Sequence, residues 1–443
     1  MDAPQSPLLR ARLDTSLPRF VRGEGVELID DAGRRYLDAA SGVGVTCLGY
    51  GRADIAEAMA RQATMLPYVH ALRFESEPAR RLAEEIVALA PGDLSTVFFT
   101  SGGAEANEAA FKLARQYQVE RGEPQRWRIV GRHPSFHGNT LATLAAGGHA
   151  GRRARYEPML PAFSHVPAPN TYRGCTHCGG SCDLHCADRL DGLLTQDDSI
   201  AAFIAEPVVG ASGGALAPPD GYFARIGEIC SRHGVLLIAD EVITGFGRTG
   251  TAFGIGHFGV VPDILTFAKG VAAGYAPLGG MIAGEHVVAA LRAGSGRFEH
   301  SLTMSGHPVA CAAGLATLDA LRREHLIERV NDLSPVLFEA LRRHLRGNPV
   351  VGDIRGIGLL AGIELVADQD RKMPFSGELN VAGKAETAAR EERVLVYAGH
   401  GDPGDYLLLM PPFVSTRSDL EAMAAGVGRG LSRLAEQVMQ RVP

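Results

Sequence analysis

A single tryptophan in 443 residues, an aromatic share of 6% and a net charge of only −6 leave several function classes without their usual means. A chain that grips nucleic acid or an anionic membrane by charge needs a strongly basic surface. With 44 Lys and Arg against 50 Asp and Glu, none is expected, so neither nucleic acid nor membrane is a predicted partner. No apolar run approaches the roughly 18 residues that a membrane-crossing helix requires. The opening Met1-Asp-Ala-Pro-Gln-Ser-Pro7 has no basic region followed by an apolar stretch, so it does not read as a secretory signal. These absences together predict a soluble, cytoplasmic protein.

Cysteine is scarce and odd in number. The seven are Cys47, Cys175, Cys178, Cys182, Cys186, Cys230 and Cys311, and that count argues for reduced thiols over a disulfide framework. Four follow the spacing C-x2-C-x3-C-x3-C, with His177 and His185 among them. Structural zinc sites usually set two close pairs apart, whereas Cys175, Cys178, Cys182 and Cys186 are spread evenly. The expectation is a surface excursion with free thiols and no metal.

What is abundant is glycine, 54 residues, which predicts many tight turns and close backbone approaches. From about residue 95 to 285, short apolar runs alternate with amphipathic stretches. Strand candidates are 96–100, 128–131, 201–205, 235–239, 263–267 and 280–283, with helical periodicity over 105–114 and 222–233. That alternation predicts an α/β fold, a mostly parallel sheet covered on both faces. Residues 25–38 read as an antiparallel pair turning at Asp31 to Gly33. Past residue 310, a long helix, short strands over 359–366, 394–397 and 406–410, and a closing helix from Ser418 suit a smaller α+β domain. The predicted organisation is a small-domain segment over 1–60, a large domain over 61–322 with an irregular insertion over 167–191, and the rest of the small domain over 323–443. No internal repeat is evident.

Three elements carry chemistry. The apolar run ending at Asp240 and Glu241 places carboxylates at the carboxyl edge of a parallel sheet, where such folds bind ligands. Twenty-nine residues later Lys269 ends another apolar run, between Ala268 and Gly270; poor solvation there lowers its pKa and favours the neutral amine that attacks an aldehyde. Phe99-Thr-Ser-Gly-Gly-Ala-Glu-Ala-Asn107 joins a strand to a helix through small residues, so free N–H groups can cradle an anion. It has neither the P-loop lysine nor G-x-G-x-x-G. Alone, an acidic strand end is commonly a helix cap and a lone lysine a solvated group. In this order and at strand ends, the three predict a phosphate cradle, a carboxylate for a pyridinium nitrogen and a Schiff-base lysine for pyridoxal phosphate (PLP).

The same stretches, with Arg22-Gly-Glu-Gly25, Gly33-Arg-Arg-Tyr-Leu-Asp38, Ser135-Phe-His-Gly138, Ala205-Glu-Pro-Val-Val-Gly210, Asp240 to Gly250, Ala268-Lys-Gly270, Thr303-Met-Ser-Gly-His-Pro308 and Gly352 to Gly358, resemble the class III (omega) aminotransferases. The likeness covers nearly the whole chain. It implies fold type I, with a seven-stranded sheet in the large domain and a small domain built from both ends of the chain. It implies PLP as cofactor, with Lys269 and Asp240 as catalytic residues. Gly102, Gly103 and Ala104 fall where N–H groups grip the phosphate. Phe136 falls where an aromatic ring, usually Tyr, stacks on the pyridine, with His137 beside it. Val242 packs the other ring face in that correspondence. Thr303 reaches the phosphate from the neighbouring subunit, which implies a homodimer. Glu206 matches a glutamate that either lies on the substrate side or holds a loop arginine. The implied reaction is ping-pong transfer of an amino group from an amine or omega-amino compound to a keto acid such as pyruvate. Decarboxylating transamination, aminomutase, epimerase and phospho-lyase reactions share the same motifs, and a non-catalytic binding module is the contrasting class.

Substrate signals are sparser. Relatives acting on carboxylate substrates often carry an arginine three residues before a double proline, and Leu408 occupies that place before Pro411-Pro412. Amine:pyruvate relatives carry one further upstream, where Tyr397 is the match. A tryptophan common in the Ser41 to Val45 segment is replaced by Gly44, which predicts a larger pocket. Arg73 is the candidate cation for any carboxylate.

Overall fold

A computed structural model describes residues 7–9, 17–174, 184–401 and 404–439. The short apolar runs form one seven-stranded sheet. Its order is Leu94–Thr100, Gly279–Gly284, Ile264–Phe267, Leu236–Asp240, Ile200–Ala205, Arg128–His133 and Ser164–Pro167. Gly279–Gly284 alone runs against its neighbours; every other pairing is parallel.

The central strands are buried at every position because helices cover both faces. Side chains alternate between those faces along a strand. Ala202 and Ile204 join Ala109, Ala110 and Leu113 of helix Gly103–Glu120. Phe203 and Ala205 join Phe223, Ile226 and Ile229 of helix Tyr222–His233. The strand Ser164–Pro167 escaped the sequence reading. It is four residues long, half polar, and pairs only at the sheet's edge, so it carries neither an apolar run nor clear alternation.

Two smaller sheets flank this layer. One has the order Phe20–Glu24, Glu27–Asp30, Arg35–Asp38 and Val394–Leu395, so the last strand of a distant segment completes the N-terminal hairpins. The other is antiparallel: Val351–Ile357, Leu360–Leu365, Gly404–Leu409 and Tyr397–Gly401. The closing helix spans Arg417–Val438, one residue earlier than Ser418. It starts at a reciprocal cap in which the Thr416 hydroxyl accepts from the Asp419 N–H at 3.1 Å and the Thr416 N–H donates to the Asp419 carboxylate at 2.7 Å.

Of the stretch 167–191, the described part after residue 183 is mostly helical. Helix His185–Gln196 begins within it and buries Cys186, Ala187 and Leu190 in the same cluster as Phe223 and Ile226. Cys175, Cys178 and Cys182, with His177, lie outside the described residues, and so does the question of zinc there. Cys47, Cys230 and Cys311 are buried thiols without a disulfide. No described helix is long and apolar enough to cross a membrane.

Gly131, inside strand Arg128–His133, shows why small residues are needed here. A Cβ at that position would stand 2.0 Å from the Ala146 carbonyl oxygen, a backbone atom that cannot yield cheaply. Gly131→Ala should therefore lower stability by about 1–3 kcal/mol, the usual cost of overpacking. A thermal unfolding midpoint equal to that of the wild type would show that the helix end at Ala146 can move aside.

Candidate active site

A parallel sheet brings its strand ends to one edge, and three of them meet here. Leu94–Thr100 runs into helix Gly103–Glu120, Leu236–Asp240 ends in its carboxylate, and Ile264–Phe267 is followed by Lys269. They line one cavity of about 420 Å³, within the range typical of small-ligand sites. Gly102, Gly103, Ala104, Phe136, His137, Glu206, Asp240, Val242 and Lys269 all line it. The site residues read from the sequence thus come together, with one exception. Thr303 is exposed on a loop away from this cavity, where its carbonyl accepts from the Tyr68 hydroxyl at 3.0 Å.

Asp240 is 3% exposed and fully engaged. Its Oδ2 accepts from His137 Nδ1 at 2.7 Å and from Asn107 Nδ2 at 2.9 Å, while Oδ1 accepts from the Val242 N–H at 3.1 Å. Asn107 is itself fixed, donating to the His137 carbonyl at 2.8 Å and accepting from the Thr266 hydroxyl at 2.7 Å. The sequence reading passed over Asn107. Its signal is an amide placed inside a helix, where it is disfavoured unless its side chain has a task. The neighbouring Glu241 has a different role, accepting from the Gly254 and Ile255 N–H groups at 2.8 and 2.7 Å and so anchoring that loop.

Lys269 has a φ of +44°, a left-handed conformation that a non-glycine residue holds only where surroundings impose it. Burial pulls its ammonium down to about 8, against the raising influence of Asp240 and Glu206. Its amine has no hydrogen bond or ion pair among the described residues. Burial, with the Asp240 charge added, pushes Glu206 up to about 8. The Glu206 side chain makes no ion pair with an arginine among the described residues; Arg132 meets its backbone carbonyl instead.

At the other end, Gly102 precedes the 18-residue helix and no side chain caps it. The first-turn N–H groups have no intrahelical acceptor, which suits an anion. A Cβ on Gly103 would stand 2.8 Å from Val242 Cγ2, whereas one on Gly102 would meet nothing within 4 Å. Two buried atoms in the cavity lining have no partner, His137 Nε2 and Glu206 Oε2. An uncapped helix start, an apolar slot between Phe136 and Val242 in the lining, a buried carboxylate and an unpaired lysine fit the phosphate, ring, ring nitrogen and aldehyde of PLP.

The substrate positions fare differently. Gly44 has a φ of +71°, and a Cβ there would meet Met410 Sδ at 3.1 Å and Ile243 Cγ2 at 3.8 Å. The cavity wall from this segment is Val45, so the larger pocket expected from Gly44 does not follow from its position. Arg73 is exposed and does not line the cavity. Leu408 is buried, and in the ladder it lies directly across from Tyr397.

Residues 11–428 match the family model of class III aminotransferases. A probable aminotransferase of Mycobacterium tuberculosis is 42% identical over 414 residues, covering 92% of this chain and 88% of its own. A putrescine–pyruvate aminotransferase of Pseudomonas aeruginosa is 34% identical over 425 residues, covering 95% and 91%. Among solved structures, an amine transaminase from an uncultivated Pseudomonas species, in its PLP-bound form, superposes with a TM-score of 0.91 at 34% identity, covering 98% of this chain and 100% of that one. The chain belongs to the class III aminotransferases. It is a PLP-dependent transaminase of fold type I, moving an amino group from an amine to a keto acid.

The raised value of Glu206 has a measurable sign. Its folded-state pKa lies above the ordinary 4.5, so its contribution to stability is complete below 4.5 and is lost as pH rises through about 8. In the cofactor-free protein, Glu206→Gln should gain stability relative to the wild type as pH is raised across that window. Paired thermal unfolding scans check this; a difference that is flat or of opposite sign would place the titrating proton elsewhere.

Proposed function

We propose that this transaminase takes the amino group of an amine lacking a carboxylate at the reacting carbon and passes it to pyruvate or a similar keto acid by a ping-pong sequence. The observation that carries this reading is the apolar cluster around Leu408, which reaches the cavity through Val208 and Ile243. Both strand positions where an arginine fork would stand are occupied by Leu408 and Tyr397, and Val208, Ile243 and Met410 pack in the same apolar cluster. A fixed fork suits two substrates that both carry carboxylates; an apolar wall suits an amine that carries none. The similarity to a putrescine–pyruvate aminotransferase supports the same pairing.

In this reading the Gly102, Gly103 and Ala104 N–H groups hold the phosphate, and Phe136 and Val242 pack the ring. Asp240, oriented by His137 and Asn107, keeps a proton on the ring nitrogen. When bound, PLP supplies an electron sink for the pair released at the substrate carbon. Lys269 Nζ carries the cofactor between turnovers, takes the substrate proton as base and returns it as acid. Its depressed pKa keeps neutral amine available near neutral pH. Glu206, largely protonated there, can donate a hydrogen bond toward the substrate side.

The same proposal makes the working unit a homodimer, with Thr303 reaching the neighbouring subunit's phosphate site. Exposed Tyr68, Leu72, Phe74 and Met304 gather near that loop and support burial against a second copy. A cytoplasmic location is supported by the unbridged thiols of Cys47, Cys230 and Cys311.

Lys269→Ala should lose the visible absorbance of the bound cofactor and lower kcat by at least about 10³-fold, within the reach of a lost acid–base group; a variant that keeps both would remove Lys269 from this role. With the wild type, a panel of amines offered with pyruvate and with 2-oxoglutarate should give ketone without CO2. Release of CO2 in step with ketone would instead establish decarboxylating transamination.

A further inference from the structure

Arg132 and Glu206 are buried ionisable residues, each with side-chain atoms that meet no partner. An arginine does not shed its charge in a protein, and a buried charge is tolerated only where something opposes it. Arg132 lies in strand Arg128–His133 and follows Val130 onto the face covered by helix Tyr222–His233. Its guanidinium carbon stands 5.9 and 5.8 Å from the Tyr222 and Phe223 ring centroids. Val130 is aligned with Phe203 of the neighbouring strand, so Arg132 reaches just past that strand's end, where its Nη2 donates to the Glu206 main-chain carbonyl. Its Nε and Nη1 have no hydrogen-bond partner, and it forms no ion pair among the described residues.

The Glu206 side chain lines the cavity, with Oε2 unpartnered. Burial and the Asp240 charge hold its carboxyl up at about 8. Against them act the charge of Arg132, then the Gly210 N–H, then Lys269. Tyr406 also lies within reach of the Glu206 charge, and His137, held on Asp240, lines the same cavity. Of these groups Arg132 is the one whose positive charge does not titrate. The rest of the loop is tied down separately. The Tyr406 hydroxyl donates to the Ala211 carbonyl at 2.7 Å, and Arg355 donates to the Gly213 and Gly214 carbonyls, both at 2.8 Å. Removing the Arg132 charge therefore acts on Glu206 without releasing the whole loop.

We propose that Arg132 is a positioning residue for the reaction: it fixes the main chain at Glu206 and lets that carboxyl ionise, so that Glu206 takes a proton from the arriving ammonium of the amine substrate. An aliphatic amine is mostly protonated near neutral pH and is a nucleophile only after losing a proton. The N–H bond of the ammonium breaks, the proton passes to Glu206 Oε2, and the lone pair left on nitrogen is free to attack. In the second half-reaction the same proton returns to the amine of the departing product. This role rests on the amine-to-keto-acid reading above.

The first readout needs neither cofactor nor substrate. In the cofactor-free protein, the pH at which the thermal stabilities of wild type and Glu206→Gln diverge marks the Glu206 titration. The same pair built on Arg132→Met should diverge about one pH unit higher, at the lower end of what an adjacent charge does to a carboxyl. Built on Arg132→Lys, it should stay close to the wild-type midpoint. On the holoenzyme with sec-butylamine and pyruvate, kcat/KM for the amine should rise with pH through that midpoint. Arg132→Met should move the rise upward, a loss of about tenfold near neutral pH that shrinks at high pH. In a Glu206→Gln background the Arg132 substitution should leave the profile where it is. A loss equal at every pH, or equal in both backgrounds, means that Arg132 only packs under Tyr222 and Phe223 and overturns the proposal; an unmoved midpoint in the cofactor-free pair does the same. Should Arg132→Met fail to fold, Arg132→Gln reads both midpoints. A cofactor-free midpoint that moves in an enzyme yielding no ketone from any amine with pyruvate would overturn the amine-to-keto-acid reading, and with it the proton transfer at Glu206.

Discussion

The carboxylate of Asp240 lies almost beyond the reach of water, and an ion so placed is tolerable only when its lone pairs are met. Three donors meet them: the imidazole of His137, the amide of Asn107 and the N–H of Val242. Each comes from a different part of the chain, the loop beyond Arg128–His133, the helix Gly103–Glu120 and the turn after the Asp240 strand. Thr266, through Asn107, ties in the strand that leads to Lys269. One buried charge therefore sets the mutual position of the elements that form the cavity. It also sets the electrostatics, opposing the burial that lowers Lys269 and adding to the burial that raises Glu206.

Lys269 adopts a left-handed backbone conformation, as do Phe246 and Ala273 near it in sequence or space. Such residues persist where packing over-determines them. Here Gly270 lies against Phe246, and Phe246 packs edge-on to Phe267 at 5.6 Å. The strain sits beside a rigid aromatic cluster, which holds the lysine in place without a hydrogen bond to its amine. The smaller sheets are tied to this region from outside the cavity lining. Arg248, buried on the Leu359 and Pro411 carbonyls and stacked over Phe413 at 4.6 Å, couples the loop after Asp240 to the C-terminal strands that carry Leu408.

Much of this was legible in the linear chain. Fully buried strands such as Ile200–Ala205 announce themselves as apolar runs, and Asp240, Lys269 and the Gly102–Ala104 turn announce themselves by ending such runs. Ser164–Pro167 did not, because an edge strand needs neither burial nor alternation. Asn107 was also silent: its task depends on a partner 133 positions away, Asp240. Gly44 misled, since its neighbour Val45 faces the cavity while Gly44 itself turns on a positive φ against Met410.

The sequence by itself determined the α/β alternation, the strand-end lysine and carboxylate, and the phosphate turn. These are local features, written in periodicity and in which residue follows an apolar run. The tertiary structure decided which of those ends share one cavity, that Asp240 is held by His137 and Asn107, and that Leu408 is buried across from Tyr397 in the ladder. The reason is physical. A strand's burial is encoded within a few residues, but a side chain's partner is set by sheet order and register, which only the packed whole specifies.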